Sequence, residues 1–117
     1  TRVRSSAASD VYKRQAFYQT DLEAILRTRG ITHLLFSGVT TDVCVHTTLR
    51  NANDMGFRCL LIEDCCGAFD ESNHCAAVDM VKMQGGIFGW VSTSDHVVEA
   101  LGGVTPQRMD SAALAPA

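Results

Sequence analysis

Apolar positions along this chain recur with two periods. Leu22, Ile25 and Leu26 fall on one face at helical spacing, behind a Thr20-Asp21-Leu22-Glu23 segment with the form of a capping box. Gly30 suits the stop, so the pattern predicts a helix over about Thr20–Arg29. Thr32–Ser37 is a short apolar run that reads as a buried strand, with His33 at its start as a structural histidine. Val45, Thr48, Leu49 and Ala52 share one face of a second helix, about Val43–Asp54, which Gly56 ends. His46 falls off that face, toward solvent or a subunit partner. Arg58–Glu63 (RCLLIE) predicts a second buried strand, and Asp64–Phe69 the loop beyond its end. Ser72 is the predicted N-cap of a third helix that ends near Gln84, where Gly85–Gly86 breaks it. Ile87–Val91 is the third strand, and Ser94 caps a last short helix, Asp95–Leu101.

Strands separated by helices of about ten residues imply parallel pairing with right-handed crossovers. The fold class is therefore α/β with a parallel sheet of about three strands. The ends of the chain do not join this pattern. Thr1–Gln15 (TRVRSSAASDVYKRQ) is small, polar and basic, without period. It reads as a disordered tail, or as translated adaptor sequence foreign to the fold. Residues 16–101 form the domain. Gly102–Ala117, with two prolines and several alanines, reads as a second tail.

The stretch Leu34–Arg50, LLFSGVTTDVCVHTTLR, joins the first strand to the second helix through Ser37–Gly38 and a short turn. Cys44 stands at the junction. Open α/β sheets place ligands there, beyond the carboxyl ends of their strands. A thiol in the first turn of a helix meets a partial positive charge, and a thiolate is the nucleophilic form of cysteine. Backbone N–H groups from about Thr40 to Cys44 are placed to face an oxyanion. Placement alone leaves a second reading, in which Cys44 is a small buried hydrophobe.

Composition narrows the function classes. The net charge is −3 and the Lys and Arg residues form no stripe, which argues against nucleic acid as a partner. No apolar run approaches a membrane span. Five scattered cysteines form no disulfide framework and fit a reducing compartment, so the expected location is the cytoplasm. Cys65, Cys66, His74 and Cys75 carry ligand-type atoms in no zinc spacing, and they read as structural. Neither a metal nor a cofactor is expected.

GVTTDVCVHTTLR resembles the nucleophile motif of the isochorismatase-like cysteine hydrolases, approximately G-V-x-T-x-x-C-V-x-x-T. Gly38, Val39, Thr41, Cys44, Val45 and Thr48 fit it. The similarity runs from about Ala16 to Leu101. Within that family, MQGGIFGW resembles the biuret hydrolase and ureidoacrylate amidohydrolase branch. The motif identifies the superfamily far better than the substrate.

The resemblance implies a three-layer, Rossmann-like fold, of which this chain holds about the C-terminal half. It implies a cysteine hydrolase that cleaves the C–N bond of a small linear amide or urea derivative through a thioester, and a homo-oligomer. Cys44 would be the nucleophile, with Thr40, Thr41 and Cys44 around the oxyanion and a non-proline cis bond between Val39 and Thr40. Gln84 would be a substrate contact; as a bare residue it reads equally well as a helix-end cap. The family also uses an aspartate from an earlier strand and a lysine six residues before a phenylalanine. Val11 stands at that spacing from Phe17, and Lys13 is out of register with it. Asp10 and Asp21 are poor substitutes for the aspartate. The expectation is a truncated, inactive hydrolase. The alternative is a non-catalytic interaction or oligomerisation module of the same fold.

Overall fold

The computed structural model describes residues 14–102; the expected tail positions Thr1–Lys13 and those after residue 102 lie outside it. Helix α1 (Leu22–Thr28) is followed by strand β1 (His33–Val39), a π-helical turn (Thr41–Val45) and helix α2 (His46–Asp54). Strand β2 (Arg58–Gly67), helix α3 (Glu71–Gly86), strand β3 (Trp90–Ser92) and helix α4 (Ser94–Leu101) complete the order. The sheet runs β1-β2-β3 and both pairings are parallel, as the helix-length crossovers require.

The core lies between one face of the sheet and helices α2 and α3. Phe36, Cys59 and Leu61 point into it from the strands, Leu49 and Ala52 from α2, and Ala77, Val78 and Val81 from α3. Phe17 is buried against the core and stacks on Phe57 at 6.0 Å between ring centroids. Arg27 lies over the Phe57 ring and donates to the Met55 carbonyl at 2.6 Å, which fastens α1 to the same corner. Among the described residues, the opposite face leaves Leu35 and Trp90 exposed. Leu35, Leu60 and Trp90 form one row across it by register, and they line an apolar cleft of about 290 Å³.

Several boundaries moved, each for a local reason. The Thr20 hydroxyl accepts only from Leu22 N–H, and the α1 N-cap residue Asp21 makes no side-chain cap bond, so the capping box is not formed as expected. β2 continues past Glu63 to Gly67, because Gly38 and Val39 pair with Cys66 and Gly67. Asp70, and not Ser72, caps α3: its Oδ1 accepts from Ser72 N–H at 2.8 Å and from the Ser72 hydroxyl at 2.6 Å. Those bonds hold the Asp70 carboxyl below the usual carboxylate range. Thr93 caps α4, while Asp64 accepts from both the N–H and the hydroxyl of Ser94.

β3 starts at Trp90 rather than Ile87. Gly85, Gly86 and Gly89 all have positive φ and occupy the approach to the strand. Gly89 is required there: a Cβ would stand 2.4 Å from the Cys59 carbonyl oxygen.

Leu61 is 1% exposed and sits at the centre of the core. Leu61→Ala should lower unfolding free energy by about 2–5 kcal/mol. Val98→Ala, on the exposed side of α4, should change it by no more than about 0.5 kcal/mol. Urea titrations of both variants check the contrast.

Candidate active site

β1 and β2 pair in simple register as far as Phe36 and Leu61, then shift so that Gly38 meets Cys66. Two steps along β1 therefore match five along β2, so β2 bulges between Leu61 and Cys66 before the strands pair again at Gly38 and Val39. Gly38 (φ 121°) lies in this irregular stretch, and the Val39–Thr40 peptide bond that follows is cis. The Thr40 carbonyl accepts from Val43 N–H at 3.2 Å and from Val45 N–H at 3.1 Å. The second bond closes over five residues and makes the turn π-helical. Val39, Thr40, Thr41 and Cys44 are thus brought together at the carboxyl end of β1. Because Val43 N–H is engaged with the Thr40 carbonyl, it drops out of the expected oxyanion donors from Thr40 to Cys44.

Cys44 is half-buried, and the Arg14 N–H donates toward its sulfur at 3.2 Å. A short relay positions that donor. The Thr48 hydroxyl donates to the Cys44 carbonyl at 2.8 Å and accepts from Ala16 N–H at 3.1 Å. Gln15 spans the same place: its amide donates to Asn51 Oδ1, and its Oε1 accepts from Phe17 N–H at 2.6 Å. Arg14 and Gln15, placed in a tail by the sequence pattern, therefore lie against α2 and the thiol. The motif threonine Thr48 was read only as a packing position; its two bonds emerge once residues 14–17 are seated.

Thr41 is 1% exposed, and its hydroxyl lies 2.7 Å from His74 Nδ1. That side chain faces the protein interior, so any substrate contact by Thr41 falls to its backbone. His46 corrects the helical-wheel reading. It is 9% exposed, not solvent-facing, because helix α3 packs against the turn and places Asn73 and Ala77 around the same cleft. His46 Nε2 and Asp42 Oδ1 are buried with no hydrogen-bond partner among the described residues. With Asn73 and Met80 they line a cleft of about 260 Å³ between the turn and α3. Burial, and next the Arg50 charge, push the His46 pKa below its ordinary value.

Gln84 does not join this group within one chain. α3 starts beyond the carboxyl end of β2 and must return to the start of β3, which pairs with Leu60 near the beginning of β2. Gln84 lies at that far end, exposed and in a left-handed conformation (φ 53°). Lys13 lies outside the described residues. The chain's other lysine, Lys82, pairs with Asp79 at 3.7 Å on the exposed side of α3. Cys66 donates to the Ile62 carbonyl, and Cys75 reaches toward Glu71. No group of three or more His, Cys, Asp or Glu side chains among the described residues is placed to hold a metal ion. No helix among them is long and apolar enough to cross a membrane.

The order of elements, the parallel sheet and a cysteine on the turn after β1 describe an α/β domain of a defined kind. Residues 8–96 match the isochorismatase domain, and the chain belongs to that family. A ureidoacrylate amidohydrolase, RutB, from Pantoea ananatis is 37% identical over 93 residues, which cover 79% of this chain and 36% of the relative. A putative hydrolase of the isochorismatase family from Chromobacterium violaceum superposes with a TM-score of 0.72 at 31% identity, covering 79% of this chain and 52% of that one. The nicotinamidase PncA of Bacillus subtilis gives 0.64 at 34% identity, covering 68% and 43%. The chain thus spans about a third of the length of the ureidoacrylate amidohydrolase it matches.

Two measurements follow from this geometry. Burial pushes the Cys59 thiol up to about 11 and also raises that of Cys66, with the Gly38 backbone N–H opposing the shift at Cys66. Limiting iodoacetamide at about pH 8 should therefore label Cys44 ahead of both. Cys44 should also outpace the more exposed Cys65 and Cys75; peptide mapping gives the order.

The second concerns His46. The unfolded chain takes up this proton near 6.5 and the folded chain only at lower pH. The stability it contributes is complete above the unfolded value and is lost as pH falls through 6.5 toward the folded value. His46→Gln should flatten that part of the Tm–pH curve relative to the parent.

Proposed function

We propose that this chain carries the nucleophile of a cysteine amidohydrolase that cleaves the C–N bond of a small linear amide or urea derivative. The observation that carries the reading is the position of Cys44. It sits on a hydrogen-bonded turn at the carboxyl end of a parallel strand, with an N–H donor at its sulfur. The names of the relatives support it, since one is a ureidoacrylate amidohydrolase and another a nicotinamidase.

In this mechanism the Cys44 sulfur attacks the amide carbonyl and the carbonyl oxygen takes up negative charge. Backbone N–H groups of the Thr40–Cys44 turn stabilise that charge. The C–N bond then breaks, the departing nitrogen takes a proton, and a thioester to Cys44 remains. Water attacks the thioester, releasing the acid and restoring the thiol. The carboxylate that moves the proton and the lysine that steadies the ionised site come, in this proposal, from outside residues 14–102. Gln84 takes no part in it from within the same chain.

Residues 14–102 by themselves should hydrolyse ureidoacrylate negligibly, since a positioned acid–base group contributes about 10²–10⁴-fold. Joining residues 14–102 to the upstream part of the Pantoea relative should produce turnover. Cys44→Ser in that chimera should return it to background. Turnover that survives Cys44→Ser would sink the assignment.

A further inference from the structure

We infer that His74 is a positioning residue, tying the turn that carries Cys44 to helix α3 through its bond to Thr41. For its catalytic meaning this rests on the nucleophile role proposed for Cys44; the tie itself rests on geometry. The Thr41 hydroxyl is buried, and a buried hydroxyl needs a partner. His74 Nδ1 is placed 2.7 Å away, from an element that begins thirty residues further along the chain (71 − 41). The hydroxyl can donate to the ring nitrogen or accept from it, so the pair is satisfied with either assignment of protons.

The anchoring end is itself fixed. His74 N–H donates to the Asp70 carbonyl at 3.1 Å, and the Asp70 side chain holds the first turn of α3. The held end is the first residue of the π-helical turn, three positions before Cys44. Neighbouring polar side chains of α3 are placed elsewhere: Ser72 bonds Asp70, Cys75 reaches Glu71, and Asn73 lines the cleft beside Asp42 and His46. His74 is thus the α3 side chain bonded to Thr41, and through that bond it helps set the approach of Cys44 to a substrate.

The test is amide hydrogen exchange on the 117-residue chain, with Thr41→Val, His74→Ala, the double variant, and His74→Asn, whose amide can stand where Nδ1 does. Loss of one net hydrogen bond should speed exchange at Val43, Cys44 and Val45 by about 3–10-fold. Leu61 and Ile62 should not change, the double variant should go no further than either single, and His74→Asn should restore the parent rates. Cys44 alkylation should slow in His74→Ala and recover in His74→Asn, with Cys65 unaffected in both. Faster exchange throughout the sheet, no change at the turn, additive effects in the double variant, or no response of Cys44 alkylation would overturn the inference. If Thr41→Val fails to fold, the two His74 variants decide. The nucleophile reading is judged apart, on the parent chain: Cys44 reacting no faster than Cys65 there removes that reading, while the exchange pattern still decides whether the tie exists.

Discussion

The change of register between β1 and β2 is the constraint on which the Cys44 site depends. Up to Phe36 and Leu61 the strands share a regular ladder and a common core face. Beyond it, β2 spends three more residues than β1 before the two pair again at Gly38–Cys66 and Val39–Gly67. β1 leaves the sheet only after Val39, and the π-helical turn begins at Thr41. On its other side β2 keeps a constant register with β3, and that register sets Asp64 opposite Ser94 at the entry to α4.

The turn is then held by polar groups, each used more than once. The Thr40 carbonyl accepts two N–H groups, and the Thr48 hydroxyl both donates and accepts. Such sharing matters in a partly buried turn, where an unpaired polar group costs about 1–3 kcal/mol. The segment that lies over the thiol has no secondary structure of its own at residues 14–16. Phe17 supplies its anchorage by burying an aromatic ring against Phe57, and the backbone bonds of Arg14 and Ala16 follow from that. Removing the anchor would disturb the surroundings of Cys44 without touching the residue itself.

The two faces of the sheet differ in a way that agrees with family membership. The face toward α2 and α3 is closed by Leu49, Leu61 and Val81, all but inaccessible to solvent. The other presents Leu35 and Trp90 more than half exposed. β1 is also an edge strand in the three-stranded sheet. Solved structures of the family extend to about twice the part that superposes on this chain.

Much of this was legible in one dimension. The alternation of helix and strand, the parallel sheet, the core positions Leu49, Ala52 and Leu61, and the cysteine at the strand–helix junction all follow from period, glycine punctuation and crossover length. These are local or near-local signals, carried by residues a turn or two apart. What only the tertiary structure decided involves partners far apart in sequence. His46 went inside because α3, distant in sequence, packs over the start of α2. Thr41 found His74, and Thr48 found Ala16, across thirty residues or more. Gln84 and Cys44 went to opposite ends of the sheet because a parallel crossover must return to the start of the next strand. Hydrophobic periodicity records which face of an element is buried; it does not record which distant polar group will be waiting there.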